Sequence, residues 1–129
     1  MAGIYGLTAV YASENTRAAI FDALFARRCY AATDRIWLDF QVNGHRMGSE
    51  LRLREQRHIE VQAAGTAPFA MVEIIKNNKL LHSSTHGPLE TTFEYVDKTE
   101  ICPGDYYYLR ITQKDGNMAW ASPIWVDPL

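Results

Sequence analysis

The chain has 129 residues and a mass of 14.7 kDa, room for one ordinary domain of ~100–150 residues. Hydrophobic residues make up 47% and charged residues 22%, a globular composition too apolar for a disordered chain. With 13 Lys plus Arg against 15 Asp plus Glu the net charge is -2, which argues against nucleic acid or an anionic membrane surface as main partner, since both bind through surplus Lys and Arg.

No apolar run approaches the ~20 residues that span a bilayer, and Met1-Ala2-Gly3-Ile4-Tyr5 lacks a basic leader and an apolar stretch. A soluble, cytoplasmic chain is the expectation. Residues 4–11, rich in β-branched and aromatic types, predict a strand. Ser13-Glu14-Asn15-Thr16 then supplies a helix start with Ser13 as N-cap. The helix is expected to run to about Arg28, its Arg27-Arg28 pair suiting the negative end of the dipole. Ala18, Ala19, Ile20, Phe21, Ala23, Leu24, Phe25 and Ala26 cover more than one stripe, which predicts packing on two sides.

Beyond residue 34 the signal is β throughout. Ile36, Leu38, Phe40 and Val42 alternate with Trp37, Asp39 and Gln41, a half-buried strand. Asn43-Gly44 is a strong hairpin signal because a type I′ turn needs φ > 0 at both central residues. Pairing Val42 with His45 places Met47 opposite Phe40 and Ser49 opposite Leu38. Further strands read at 57–64, 71–76, 79–84, 89–96, 105–113 and 118–126, with Asn77-Asn78 and Asp115-Gly116 as tight turns. This spacing predicts a mostly β fold: an antiparallel immunoglobulin-like β-sandwich over residues 35–129, preceded by one strand and one α-helix within residues 1–34.

A two-residue turn at Asp115-Gly116 sets Ile111 opposite Trp120, Leu109 opposite Ser122 and Tyr107 opposite Ile124. That face is the expected core, with Trp120 in it. The other face carries Tyr106, Tyr108, Arg110, Ala121 and Trp125. Aromatics around one Arg are a candidate surface for stacking a planar or sugar ligand; the alternative is that the N-terminal helix covers them.

Three stretches together resemble a known family. They are Gly6-Leu7-Thr8-Ala9-Val10-Tyr11-Ala12, residues 14–24 (Glu14-Asn15-Thr16 through Asp22-Ala23-Leu24), and residues 27–36 (Arg27-Arg28-Cys29-Tyr30 through Asp34-Arg35-Ile36). Val42-Asn43-Gly44, Gly65-Thr66-Ala67-Pro68, Tyr107-Tyr108-Leu109-Arg110-Ile111 and Ala119-Trp120-Ala121-Ser122-Pro123-Ile124-Trp125 extend the likeness over nearly the whole chain. The chain resembles the C-terminal part of PHP-type (polymerase and histidinol phosphatase) metallohydrolase-like proteins, in the carbaryl-hydrolase-like branch. The resemblance implies that a metal-binding barrel comes first, that residues 1–34 are a remnant of its end, and that the barrel is missing or separately encoded. No HxH and no Asp-x-His occurs here, so none of that family's metal ligands carries over.

The residues on their own point the same way. His82 and His86 are four apart, but their segment is polar, ends in Gly87-Pro88 and reads as strand into loop. A two-residue Asn77-Asn78 turn sets His82 opposite Glu73. His45 and His58 read as surface residues. Ser83, Ser84 and His86 lack a nucleophile-elbow pattern, and Cys29 follows a helix C-terminus, where the dipole raises a thiol pKa. Glu90, Glu94, Asp97 and Glu100 read as a solvated face. Cys29 and Cys102 are expected to be buried free thiols. No catalytic set, metal or cofactor is expected. The expected function is therefore a non-catalytic β-sandwich portion of a PHP-type hydrolase-like protein, or a ligand- or protein-binding module using Tyr106, Tyr108, Arg110 and Trp125. A strand edge beside apolar helix surface predicts a homodimer through residues 4–28.

Overall fold

A computed structural model describes residues 6–84 and 88–129. In chain order it contains β1 (Leu7–Val10), α1 (Arg17–Phe25), β2 (Cys29–Ala32), β3 (Trp37–Val42), β4 (His45–Arg46), β5 (Glu50–Leu53) and β6 (Arg57–Ala64). There follow β7 (Phe69–Lys76), β8 (Lys79–Ser84), β9 (Glu90–Asp97), β10 (Asp105–Gln113), β11 (Met118–Ala121) and β12 (Ile124–Pro128). The fold is mostly β, a two-sheet sandwich preceded by a strand and a helix, as the alternation predicts.

β10 organises the larger, eight-stranded sheet. One edge pairs with β7 along nearly its full length; the other takes β11 against its C-terminal half and β12 against its N-terminal half. β11 continues to β2 and β1, β7 to β8, and β12 to β5. The last of these is a parallel pair. The smaller sheet runs β4-β3-β6-β9, all antiparallel. Between the sheets Leu38, Phe40, Val42, Ile59 and Val61 meet Val72, Ile74, Leu109, Ile111 and Ile124, all without exposed surface. β6 and β10 alternate buried and open side chains along their whole length, the period-2 signature of a strand with one face in the core.

The Asn43-Gly44 and Asn77-Asn78 turns have φ of 48° and 79°, and of 51° and 65°, type I′ as expected. Val42 pairs with His45, and the Met47 amide donates to the Phe40 carbonyl at 3.0 Å. Ser49 does not reach Leu38. Gly48, at φ +89°, turns the chain toward the other sheet, and the Ser49 carbonyl accepts instead from the Trp125 amide. The resulting strand, β5, and β2 are too short to have shown as separate strands in the sequence.

The N-terminal segment differs from expectation in three ways. Residues 4 and 5 of the expected strand lie outside the described residues, and α1 begins at Arg17, not near Ser13. Its N-cap is Thr16, whose hydroxyl accepts from the Ala19 amide at 3.2 Å. The helix ends at Phe25, and only Ala19 and Ala23 are buried, so it packs on one narrow side. Arg27 lies past the helix at φ 60°. The Arg28 amide donates to the Ala23 carbonyl and the Arg27 amide to that of Leu24, a Schellman end with Arg where Gly is usual.

Tyr107 pairs with Ile124 as expected, but the β10–β11 hairpin is offset by one residue from the expected register. The Gln113 amide donates to the Asn117 carbonyl, and the Gly116 amide to that of Gln113. Lys114-Asp115-Gly116 is thus a three-residue loop with Gly116 at φ +89°. Ile111 then pairs with Ala119, and Arg110 with Trp120. Ala119 and Ala121 fill the core, while Trp120 lies half-buried on the outer face. Both cysteines are free, as expected, but neither is buried: Cys29 is half-buried and Cys102 exposed.

Candidate functional site

Alternation along β10 puts Tyr106, Tyr108 and Arg110 on the sheet's outer face, each half-buried. Trp125 is opposite Tyr106 on β12 and Trp120 opposite Arg110 on β11, and cross-strand partners share a face. Four aromatics therefore share this face with one Arg. Ala121, expected among them, points inward. The guanidinium is not free: Arg110 donates to both carboxylate oxygens of Glu73 on β7, at 2.9 and 3.0 Å. Those bonds raise its pKa above the ordinary value. Trp125 carries the Arg27 guanidinium 5.1 Å from its ring centroid. The face thus presents rings and a closed ion pair, and α1 packs on β1 instead of covering it.

The histidines do not converge. His45 and His58 are exposed, as expected, and His86 lies outside the described residues. His82 faces Ile74, and Ser83 takes the place opposite Glu73, because a bulge shifts the β7–β8 register between Ile74 and Ile75. The His82 ring stacks on Tyr95, with centroids 4.7 Å apart, and lies 5.8 Å from Phe93, a packing role at the sandwich seam. Among the described residues no three His, Cys, Asp or Glu side chains group as metal ligands would.

A polar cluster that the sequence did not reveal ties the sheets together. Asp97, read as solvated, is only 2% exposed, and so is Arg57, its register partner on β6. Asp97 Oδ2 accepts from Tyr107 Oη at 2.6 Å and from Lys76 Nζ at 2.8 Å, both from the opposite sheet, with Arg57 Nη2 at 3.3 Å. Its Oδ1 accepts from the Thr99 amide and hydroxyl. Burial pushes this carboxyl's pKa up, but the bonds from Lys76, Tyr107 and Thr99 outweigh it and hold the group below the usual carboxylate range. Burial and donation to Asp97 push the Tyr107 hydroxyl's pKa up. Arg57 also donates through Nε to Tyr107 Oη and through Nη2 to the Thr99 carbonyl, so the groups of this cluster are engaged with one another. Its four charged or phenolic members sit at 57, 76, 97 and 107, too scattered to signal one another.

At the opposite end two tyrosines close an open strand edge. Tyr30 Oη donates to the carbonyl of Ile36, just before β3, at 2.8 Å, and Tyr11 Oη to that of Leu38 in β3, so side chains satisfy backbone groups beyond the reach of the two-residue β4. Burial, then the nearby Asp39 charge, push the Tyr11 pKa up.

Residues 1–76 match the family described as "Protein of unknown function (DUF3604)". The chain is 42% identical over 140 residues to an uncharacterized protein of Chlamydia pneumoniae, covering 95% of this chain and 23% of that protein. It is 42% identical to an uncharacterized protein of Chlamydia trachomatis serovar D and 40% to one of Chlamydia muridarum, with 95% of this chain and 22% of each relative covered. The chain thus spans under a quarter of the length of these relatives. No solved structure matches. No helix among the described residues is long and apolar enough to cross a membrane.

Proposed function

The chain belongs to the DUF3604 family, and on that premise we propose that it is a non-catalytic β-sandwich portion of a longer PHP-type, metal-dependent hydrolase-like protein. The observation that carries this reading is proportion: its sequence recurs at 42% identity as 23% of a longer polypeptide. The resemblance of residues 6–36 to the end of a PHP barrel supplies the kind of protein. The metal of such enzymes has no fitting donor set among the described residues, so this reading places both metal and chemistry in the remainder. The free thiols of Cys29 and Cys102 suit a reducing cytoplasm.

Metal content and hydrolysis of phosphoesters and carbamates, measured on the full-length Chlamydia pneumoniae relative and on this chain, test the reading. The relative is expected to hold a divalent metal and turn substrate over, and this chain to do neither, with or without added Mn²⁺. Turnover that follows this chain through purification and falls with His82→Ala overturns it. A second reading, a binding module, draws on the outer face that Tyr106, Tyr108, Trp120 and Trp125 share with the Arg110–Glu73 pair. It predicts saturable tryptophan quenching by oligosaccharides that Trp125→Ala and Tyr108→Ala abolish; no quenching at any concentration removes it.

A further inference from the structure

Among the described residues, open strand edges are guarded in one way or another, with one exception. β9 carries the exposed Glu90 and Glu94, β5 carries Glu50 and Arg52, and β4 is only His45–Arg46. β8 begins with Lys79 and is bulged. Charge, shortness and bulges are the usual devices that keep an edge from pairing with another chain. β1 is the end strand of the larger sheet, and its residues, Leu7-Thr8-Ala9-Val10, hold no charge, no proline and no bulge.

Apolar surface collects around that edge. Of the eight large hydrophobic side chains exposed among the described residues, five lie here: Leu7, Phe21, Leu24, Phe25 and Trp37. Leu7 and Trp37 flank a groove of about 300 Å³ that is also lined by Ala9, Tyr30 and Ile36. On α1, which packs against β1, Phe21, Leu24 and Phe25 recur at i, i+3 and i+4 and form one ridge. The Phe21 and Phe25 rings are already stacked, centroids 6.3 Å apart. Phe25 is 79% exposed and Phe21 63%. A nine-residue helix is marginal in water and draws its stability from burying an apolar face, yet α1 buries only two alanines here.

We propose that the β1–α1 corner is the surface that docks the remaining three quarters of the longer polypeptide, which adds a strand along β1, fills the groove beside Leu7 and Trp37, and covers the Phe21–Leu24–Phe25 ridge. The proposal rests on the reading of the chain as part of a longer protein. The occupant follows from the relatives, whose matched part is 22–23% of their length; the rest of the same molecule is present at high effective concentration, which favours it over a second copy.

Hydrogen exchange of the segments matching β1 and α1 tests this, comparing the full-length Chlamydia pneumoniae relative with this chain alone. Amides of both segments are expected to exchange at least about tenfold more slowly in the full-length protein. Carrying Phe21→Ser and Phe25→Ser to the matching positions of the relative should abolish that difference. The same pair in this chain should leave its unfolding midpoint nearly unchanged. Equal exchange in the two proteins overturns the proposal. So does a dimer of this chain, seen by light scattering, that protects the corner as fully as the relative does; that result assigns the surface to a second copy. Hydrolase and metal assays are independent of these readouts, so a relative that protects the corner but lacks metal-dependent activity removes the proposed function alone.

Discussion

Gly48 and Arg27 form one joint, and their chemistry explains why neither is interchangeable with an ordinary residue. A Cβ on Gly48 would lie 2.4 Å from the Arg27 carbonyl oxygen and 2.6 Å from that of Ala26, and the backbone is at φ +89°. Gly48→Ala is therefore expected to destabilise by about 2–5 kcal/mol, from left-handed strain plus a clash with backbone that cannot rotate away. Arg27 holds φ 60° because its side chain is anchored: Nε donates to the Gly48 carbonyl at 3.1 Å and the guanidinium lies over Trp125. Arg27→Ala keeps the strain and loses the anchor, so about 1 kcal/mol of destabilisation is expected, whereas Arg27→Gly relieves strain of similar size and should be near neutral. Urea denaturation of the three variants measures this directly, and an Arg27→Gly protein weaker than Arg27→Ala would refute the strain account. Asn43, Asn77 and Asn78 were legible as positive-φ residues, since their types favour it; Arg27 was not, because its conformation is imposed by partners distant in sequence.

Among the elements, β6 and β10, with long period-2 alternation, were readable from sequence nearly to the residue at 57–64 and 105–113, and β8 at 79–84 was placed by the Asn77-Asn78 turn before it. What failed was register. One extra residue in the Lys114-Asp115-Gly116 loop turns Trp120 outward and brings Ala119 and Ala121 in, since a one-residue slip exchanges the faces of a strand. The bulge in β8 displaced His82 in the same manner. Tyr106, Tyr108 and Arg110 fall on one face because they share one strand, but the capture of Arg110 by Glu73 needed the β7–β10 pairing, which no local pattern shows. The register makes a prediction by contrast. Leu109, with no exposed surface, should cost about 2–5 kcal/mol on truncation to Ala. Trp120→Ala should cost about 1–2 kcal/mol, since much of that ring remains in water. Thermal or urea unfolding ranks them; a Trp120→Ala loss larger than that of Leu109→Ala would return Trp120 to the core.

At the scale of the whole molecule the two sheets are joined by an apolar layer and by the cluster around Asp97, where Lys76 and Tyr107 of one sheet bond a carboxylate of the other. Asp97→Asn keeps the shape but leaves Arg57 without its counter-charge and Lys76 with only Asp105, 3.8 Å away, so about 3–5 kcal/mol of stability should be lost at neutral pH. The pH dependence follows from the direction of the shift. Asp97 titrates lower in the folded chain than in the unfolded one, where a carboxyl has a pKa of ~3.9. Its contribution is thus fully present above about pH 4 and declines as the pH falls toward the folded value, since the unfolded state binds the proton first. Urea denaturation at neutral pH and at several points below about pH 4 should show the native chain losing stability steeply through the acid range. The Asn variant, with no proton to take up at this position, should start lower and fall less. Carboxylates remote from this cluster are common to both proteins, so the difference between the two curves reports on the Asp97 cluster. Parallel curves would mean that Asp97 is not held ionised by Lys76, Tyr107 and Thr99, and that the sheets are joined by the apolar layer alone.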